Sequence, residues 1–232
     1  DTCIKRHDFD GNNGRNPYGN LIQANNGKLY GLCPYGGNDD YGVLFEYNTN
    51  NQTFSKLLDF DSSTGTNPFG DLIQTSNTGL YGLTYQGGAN DYGVLFEYNL
   101  NNNTIAIKVE FDGSSKGAYP QGSILKQGNK LYAMTQFGGT NNVGVLFEYN
   151  TQSNAFNKLF DFNSSNGKSP SGKPTISKNG KIYGLTQVGG SQNHGVLFEY
   201  NINADTLIKK LDFVGANGKR PFGSLTRFCL PS

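Results

Sequence analysis

Tryptophan is absent from this chain, methionine occurs once and histidine only twice. The three cysteines, Cys3, Cys33 and Cys229, form no Cys-x-x-Cys pair, and His7 and His194 lie far from one another in sequence. Structural zinc sites draw on Cys and His ligands at short spacings, so the sequence offers no such centre. A Gly-x-Ser-x-Gly elbow, a phosphate-binding loop and a dinucleotide fingerprint are all missing from any strand–turn–helix setting. Long apolar runs are missing as well, and none approaches the roughly 18 residues that span a bilayer as a helix. Neither sign of charge dominates, with 19 Lys plus Arg against 18 Asp plus Glu and a formal net charge of +1. A nucleic acid or an anionic membrane held by electrostatics needs a basic field that this chain lacks. Every stretch of helical length is interrupted by Gly, Pro or Asn clusters, so helix content should be near zero.

What is abundant is glycine, 32 residues, and the pair Tyr and Phe, 14 and 16 residues. Short aromatic and β-branched runs separated by Gly and Asn are the habit of strands and tight turns. The runs repeat. Gly-Val-Leu-Phe-Glu-Tyr-Asn begins at Gly42, Gly93, Gly144 and Gly195, each 51 residues after the last. Tyr30, Tyr81, Tyr132 and Tyr183 keep the same step, as do Phe9, Phe60, Phe111, Phe162 and Phe213, each preceded by an acid. Pro-x-Gly follows at Pro17, Pro68, Pro120, Pro170 and Pro221. Three anchors with one period define a tandem repeat, at about 1–48, 49–99, 100–150 and 151–201, with a partial copy at 202–232.

Each repeat holds four strand candidates, a to d. In the second they are Phe54 to Phe60, Gly70 to Thr75, Gly79 to Tyr85 and Tyr92 to Asn99. Four antiparallel strands repeated at roughly 40–50 residues are the pattern of a propeller blade. The sequence therefore predicts an all-β protein, a single β-propeller domain over 1–232. A β-solenoid is the competing repeat fold, and its coils are usually much shorter.

Gly180-Lys181-Ile182-Tyr183-Gly184-Leu185, then Gly189-Gly190, then Gly195 to Asn201 resemble a kelch motif. The tryptophan that usually opens the last kelch strand is replaced by Phe54, Phe156 or Leu207. A closer likeness is to the GloVer tandem repeats of bacterial extracellular proteins, which read Phe-Asp, Pro-x-Gly-x-Leu-Ile, Leu-Tyr-Gly-Leu-Thr, Gly-Gly and Gly-Val-Leu-Phe in that order. It covers nearly all of residues 4–228. The resemblance implies a propeller-like, secreted or cell-surface protein and no particular activity. Sequons at Asn51, Asn102 and Asn163 fit the same location. Asp1-Thr2-Cys3 shows no leader, so a secreted chain should already have lost its signal.

In kelch-like blades strand a completes the sheet of the repeat before it. That grouping predicts four full blades at about 16–61, 67–112, 119–163 and 169–213. Strand a at 3–9 and strand b at about 222–229 are left over. Paired antiparallel, they form a reduced fifth blade in which Cys3 faces Cys229, within reach of a disulfide. A four-bladed ring carrying both terminal strands at its rim is the alternative, as are three free thiols. Cys33 stands where other repeats have Thr84, Thr135 and Thr186, which reads as a substituted core or channel position, and it also offers a rival bridge to either terminus.

Two sets of acids recur. Asp8, Asp59, Glu110, Asp161 and Asp212 precede the repeated Phe, and Asp10, Asp61 and Asp112 follow it. Asp8-Phe9-Asp10-Gly11-Asn12-Asn13-Gly14 resembles a calcium loop without its bidentate glutamate. Asp8, Asp10, Asp59 and Asp61 are thus calcium candidates, and Asx-turn capping is the plainer reading. Glu46, Glu97, Glu148 and Glu199 lie mid-strand in every repeat, which marks them as scaffold and argues against a catalytic acid. The Gly-Gly pairs recur before strands and read as turn glycines.

The repeats differ most around the Gly-Gly turn, where Tyr35, Tyr41, Tyr85, Tyr92 and Phe137 cluster. Aromatic rings with amide neighbours suit glycan or protein contacts on loops of a rigid scaffold. The expected function is therefore binding or adhesion, without catalysis and without a cofactor, calcium aside. Self-assembly through incomplete strand edges and a propeller enzyme acting on extracellular glycans or peptides are the alternatives.

Overall fold

The computed structural model describes residues 2–226. The chain divides into two compact units, Asp1–Glu110 and Phe111–Ser232. Every regular element among the described residues is a strand, and these make four four-stranded antiparallel sheets of propeller-blade type.

In the N-terminal unit the first blade is β1 (Ile22–Gln23), β2 (Leu29–Cys33), β3 (Val43–Asn48) and β4 (Thr53–Asp59). The second is β5 (Ile73–Gln74), β6 (Gly79–Leu83), β7 (Val94–Asn99) and β8 (Thr104–Glu110). In the C-terminal unit the third blade is β9 (Leu125–Gln127), β10 (Lys130–Thr135), β11 (Val145–Asn150) and β12 (Phe156–Asp161). The fourth is β13 (Lys168–Ile176), β14 (Ile182–Val188), β15 (Val196–Asn201) and β16 (Thr206–Asp212). Each is a simple meander whose last strand is strand a of the following repeat, the grouping that the kelch-like resemblance implies.

The third and fourth strands of every blade carry one β-bulge at the same place, between Leu and Phe of Val-Leu-Phe. The unpaired residues are Leu57, Lys108, Leu159 and Lys210. A bulge bends a strand and strengthens its twist. Here it lets Leu57 and Leu58 both turn towards one core.

That core lies between the blades of a unit. In the N-terminal unit Ala24, Tyr30, Leu32, Leu44 and Phe60 of the first blade and its connections meet Leu72, Leu80, Val94, Phe96 and Tyr98 of the second. In the C-terminal unit Tyr132, Met134, Leu146 and Phe162 meet Ile182, Phe198 and Tyr200. Each fully buried Leu or Phe stabilises by about 1.5–3 kcal/mol, so these seams dominate the fold energetics. The repeated phenylalanines register the blades. Phe60 meets Phe96 edge-on at 5.3 Å and 64°, Phe111 meets Phe147 at 5.4 Å and 61°, and Phe162 meets Phe198 at 5.2 Å and 64°.

The Pro-x-Gly glycines bring successive repeats into backbone contact. A Cβ on Gly19 would stand 2.8 Å from the Gly70 carbonyl oxygen, and one on Gly122 would collide with that of Gly172. Only glycine admits this approach.

The chain ends differ from expectation. Residues 3–9 form no strand, and neither do 222–226, while 227–229 of the expected ribbon lie outside the described residues. Cys3 is an exposed free thiol and Cys229 lies outside the described residues, so the Cys3–Cys229 bridge is not supported. Among the described residues, side-chain packing seats this segment: His7 stacks on Phe54 at 3.6 Å, and Phe9 packs edge-on against Phe45. Cys33 is buried in the core of the first blade, as a substituted core position should be.

Candidate binding surface

The Gly-Gly turns are built alike in all four blades. Both glycines have positive φ, 86° and 81° at Gly36 and Gly37, which L side chains rarely adopt. Three residues after the second glycine comes an Asx frame. Asp40, Asp91, Asn142 and Asn193 accept the N–H of Gly36, Gly87, Gly138 and Gly189 at 2.7, 2.9, 3.1 and 3.0 Å. The acid before the repeated Phe closes the other side. Asp59, Glu110, Asp161 and Asp212 accept the amides of Asn38, Ala89, Thr140 and Ser191 at 3.2, 3.0, 2.9 and 2.9 Å. These turns are scaffold, with their donors and acceptors matched within the blade.

The candidate calcium residues fall into the same architecture. Asp8 pairs with Lys5, and Asp59 pairs with Lys56, each at 2.8 Å. Asp10 accepts the Asn13 amide at 3.0 Å, and Asp61 accepts those of Ser63 and Thr64, both at 2.8 Å. Neutral Asn163 makes the same cap to Ser165 and Asn166 in the fourth repeat. Among the described residues no group of three or more His, Cys, Asp or Glu is arranged to hold a metal ion.

The mid-strand glutamates are tied to lysines. Glu46 meets Lys28 at 2.8 Å, Glu97 meets Lys108 at 2.8 Å, Glu148 meets Lys130 at 3.0 Å and Glu199 meets Lys181 at 2.6 Å. The Lys181 hydrogen bond, with that of the Tyr183 hydroxyl, holds the Glu199 carboxyl below its usual range. A carboxylate kept ionised and paired is a structural cross-link.

The residue just before the conserved Gly of each Val-Leu-Phe strand varies freely: Tyr41, Tyr92, Val143, His194. The structure supplies the reason. Its carbonyl, not its side chain, does the joining. Asn67 donates its amide to Tyr41 O at 2.8 Å, Ser169 to Val143 O at 2.9 Å and Arg220 to His194 O at 2.7 Å. Asn67 also donates from Nδ2 to Pro34 O at 3.0 Å and accepts the Tyr85 amide at 3.1 Å. The fold thus fixes the backbone there and leaves the side chain to vary.

Around these loops in the N-terminal unit the aromatic rings converge. Phe69 sits edge-on to Tyr18, Tyr35 and Tyr85 at 6.1, 5.9 and 5.8 Å. Arg15 lies 5.1 Å over the Tyr35 ring and reaches Asp40 with Nε at 2.9 Å. That guanidinium holds the Asp40 carboxyl below its usual range. Tyr18 is 66% exposed and Tyr41 39%, while Tyr35, Tyr85 and Tyr92 are half-buried. In the C-terminal unit Phe137 packs on Tyr119 at 6.1 Å.

Of the rings expected from sequence, Tyr35 and Tyr85 are brought together. Tyr18 and Phe69, which join them, are absent from the sequence-based set. Both occupy the variable position of Pro-x-Gly, where the other repeats have Gln121, Ser171 and Phe222. A variable residue between two fixed ones was the available signal.

Comparison with known proteins gives a family and a fold. TolB from Acinetobacter baumannii is similar at 11% identity and TM-score 0.52, over 78% of this chain and 40% of that one. The extracellular domain of a hybrid two-component system from B. thetaiotaomicron is similar at 17% identity and TM-score 0.57, over 87% of this chain and 22% of that one. The chain thus spans well under half the length of these structures, and the likeness concerns the fold. No curated protein sequence matches. The Gloeobacter/Verrucomicrobia repeat matches residues 1–136 and 115–228, and the chain belongs to that repeat family.

Proposed function

We propose that this chain is an extracellular binding module whose loop surface holds a glycan or protein ligand without transforming it. One observation carries the reading: exposed Tyr18 and the half-buried rings of Tyr35, Phe69 and Tyr85 converge beside loops whose backbone joins one blade to the next. Rings with an exposed face and an apolar body stack well on sugar or on peptide side chains. Arg15 and Asp40 add a charged pair at the edge for orientation. The extracellular placement rests on the family resemblance and on fold neighbours that are extracellular domains. The recurrent glutamates, each paired to lysine, support a non-catalytic role.

A glycan array probed with the labelled chain, followed by the same probe carrying Phe69→Ala, tests the proposal. Signal on a defined class, lost with Phe69→Ala, is the expected result. Retention of full signal in the variant would move the site elsewhere.

Self-association is a second reading. Ile208, Leu211, Val214 and Phe222 leave apolar surface exposed in and after the last blade. Sedimentation velocity over a hundred-fold concentration range separates it from ligand binding.

A further inference from the structure

Resting on the loop-surface reading above, we propose that the ligand is a neutral carbohydrate, whose hexopyranose hydroxyls are held by Arg15 and Asp40 beside the aromatic rings. At this pair the first blade departs from the repeat. Arg15 lies opposite Tyr35 in a backbone bridge, its N–H donating to Tyr35 O at 2.9 Å. Its counterparts in the other blades are Thr66, Ala118 and Lys168, and those of Asp40 are Asp91, Asn142 and Asn193. Of these pairs only Arg15 with Asp40 joins opposite charges. The glycine turn does not need that charge, because neutral Asn142 and Asn193 hold Gly138 and Gly189 as Asp40 holds Gly36. The ion pair is an addition to the scaffold.

Its geometry is fixed from several sides. Arg15 Nε donates to Asp40 Oδ1 at 2.9 Å and Nη2 donates to Asp40 Oδ2, while Cζ stands 5.1 Å from the centroid of the Tyr35 ring. A guanidinium gripped by both carboxylate oxygens and laid on an aromatic face is set in position and direction. Asp40 is anchored in turn by the Gly36 N–H at 2.7 Å. Even so, the two side chains stay 48% and 54% exposed. A guanidinium has five N–H donors and a carboxylate has about four acceptor sites. Among the described residues, two of those donors and three of those acceptor sites are used. What is left is a fork of N–H groups on Nη1 and Nη2 beside a lone pair on Asp40 Oδ2.

That remainder suits a hydroxyl, which accepts and donates at once. Of two neighbouring hydroxyls on a pyranose, one accepts from Nη1 or Nη2 and the other donates to Oδ2. A cationic ligand instead meets guanidinium N–H groups. An anionic one meets Asp40 and the exposed Asp39 next to it, two carboxylates against one guanidinium. A peptide strand draws its affinity from main-chain bonds. Here the main chain is engaged: Tyr35 O accepts from Arg15, Tyr41 O from Asn67, and Pro34 O from Asn67 Nδ2. These loops therefore offer a ligand side-chain chemistry. The C–H face of the sugar finds its surface next to the pair, where Phe69 links Tyr35 to the exposed ring of Tyr18.

The test sets the whole chain against three groups of immobilised probes: neutral glucan, mannan and galactan oligosaccharides, acidic oligogalacturonates and sulfated galactans, and a peptide library. Retention on the neutral group alone is expected. Arg15→Gln should weaken it about ten-fold or more, the loss of a hydrogen bond to a charged group. Asp40→Asn should weaken it too, although it keeps the frame to Gly36 as Asn142 does for Gly138. Both variants should keep the wild-type circular dichroism and melting temperature, since exposed ion pairs contribute little. If Arg15→Gln fails to fold, Asp40→Asn decides alone. Retention on acidic sugars or peptides, abolished by Phe69→Ala, leaves the loop surface as the site and overturns the neutral-carbohydrate assignment. Neutral binding that is lost with Phe69→Ala and intact in both Arg15→Gln and Asp40→Asn overturns it as well. Retention insensitive to Phe69→Ala, or absent from all three groups, overturns both readings.

Discussion

Thr84 Oγ1 accepts the Val94 amide at 3.0 Å and donates to Gln86 O at 3.0 Å, joining two strands and a turn through one hydroxyl. Thr135 and Thr186 repeat the arrangement in their blades. In the first blade the position is Cys33, whose thiol is a weaker donor and acceptor. Cys33→Thr should therefore stabilise the protein by about 0.5–1.5 kcal/mol, the net worth of a buried hydrogen bond. Urea denaturation checks it, and a lower midpoint would show that the sulfur fits better than the hydroxyl bonds.

Burial pushes the Cys33 thiol up to about 12. Thiolate is the reactive form, so Cys33 should stay unmodified by a thiol reagent at pH 8 until the protein unfolds. Cys3, exposed, should react at once. Mass spectrometry of the labelled peptides separates the two.

The repeated phenylalanine is the register pin of each blade seam. Phe111→Ala and Phe162→Ala should cost about 3–5 kcal/mol each, the usual loss for a fully buried Phe. Phe9→Ala should cost clearly less, since Phe9 is only half-buried. Equal losses at all three would mean that residues 3–9 are as tightly integrated as a strand.

Stability should fall in acid. Asp61, Asp161, Asp212 and Glu199 are all held below their usual carboxyl range. Hydrogen bonds to Ser63, Lys209 and Lys181 lead for Asp61, Asp212 and Glu199. At Asp161 burial pulls upward, and Lys158 and Thr140 together outweigh it. A depressed carboxyl stabilises the fold above the unfolded value of about 4 and loses that contribution as pH falls through the folded value. The melting temperature should be level from pH 7 to about 5 and fall steeply below about 4. Burial pushes the Tyr98 phenol up to about 12, so a second fall should begin above the unfolded value of about 10. A calorimetric profile without the acid limb would contradict the capping roles of these acids.

Asp61 caps its turn through hydrogen bonds that Asn163 reproduces without charge. Asp61→Asn should change stability by less than about 0.5 kcal/mol, as surface substitutions usually do. Adding calcium or a chelator should leave the melting temperature where it is. A rise of several degrees with calcium would support the metal reading of Asp8, Asp10, Asp59 and Asp61.

The period was readable because strand identity is written into the Val-Leu-Phe and Leu-Tyr-Gly-Leu runs, which must match to fill equivalent seams. The assignment of strand a to the preceding blade came from the resemblance to kelch-like blades. Other features depend on three-dimensional neighbours. The backbone bond from Asn67 to Tyr41 explains why position 41 varies, and no local pattern announces it. The gathering of Tyr18 and Phe69 with Tyr35 and Tyr85 joins two repeats. Residues 3–9 carry a strand pattern, yet a strand exists only where another pairs with it. The bulges were invisible too, because the extra residue is Leu in two blades and Lys in the other two.

Binding through the loop aromatics is the central claim, and one paired measurement tests it most directly. The double variant Tyr18→Ala, Tyr41→Ala is compared with the wild type for both stability and retention on a ligand identified by the glycan or protein array. Both rings are exposed, so unfolding free energy should change by less than about 1 kcal/mol. Affinity should fall at least ten-fold, as expected when stacking rings are removed from a contact surface. Unchanged affinity with intact stability would contradict the claim, and unfolding of the variant would show that these tyrosines belong to the core.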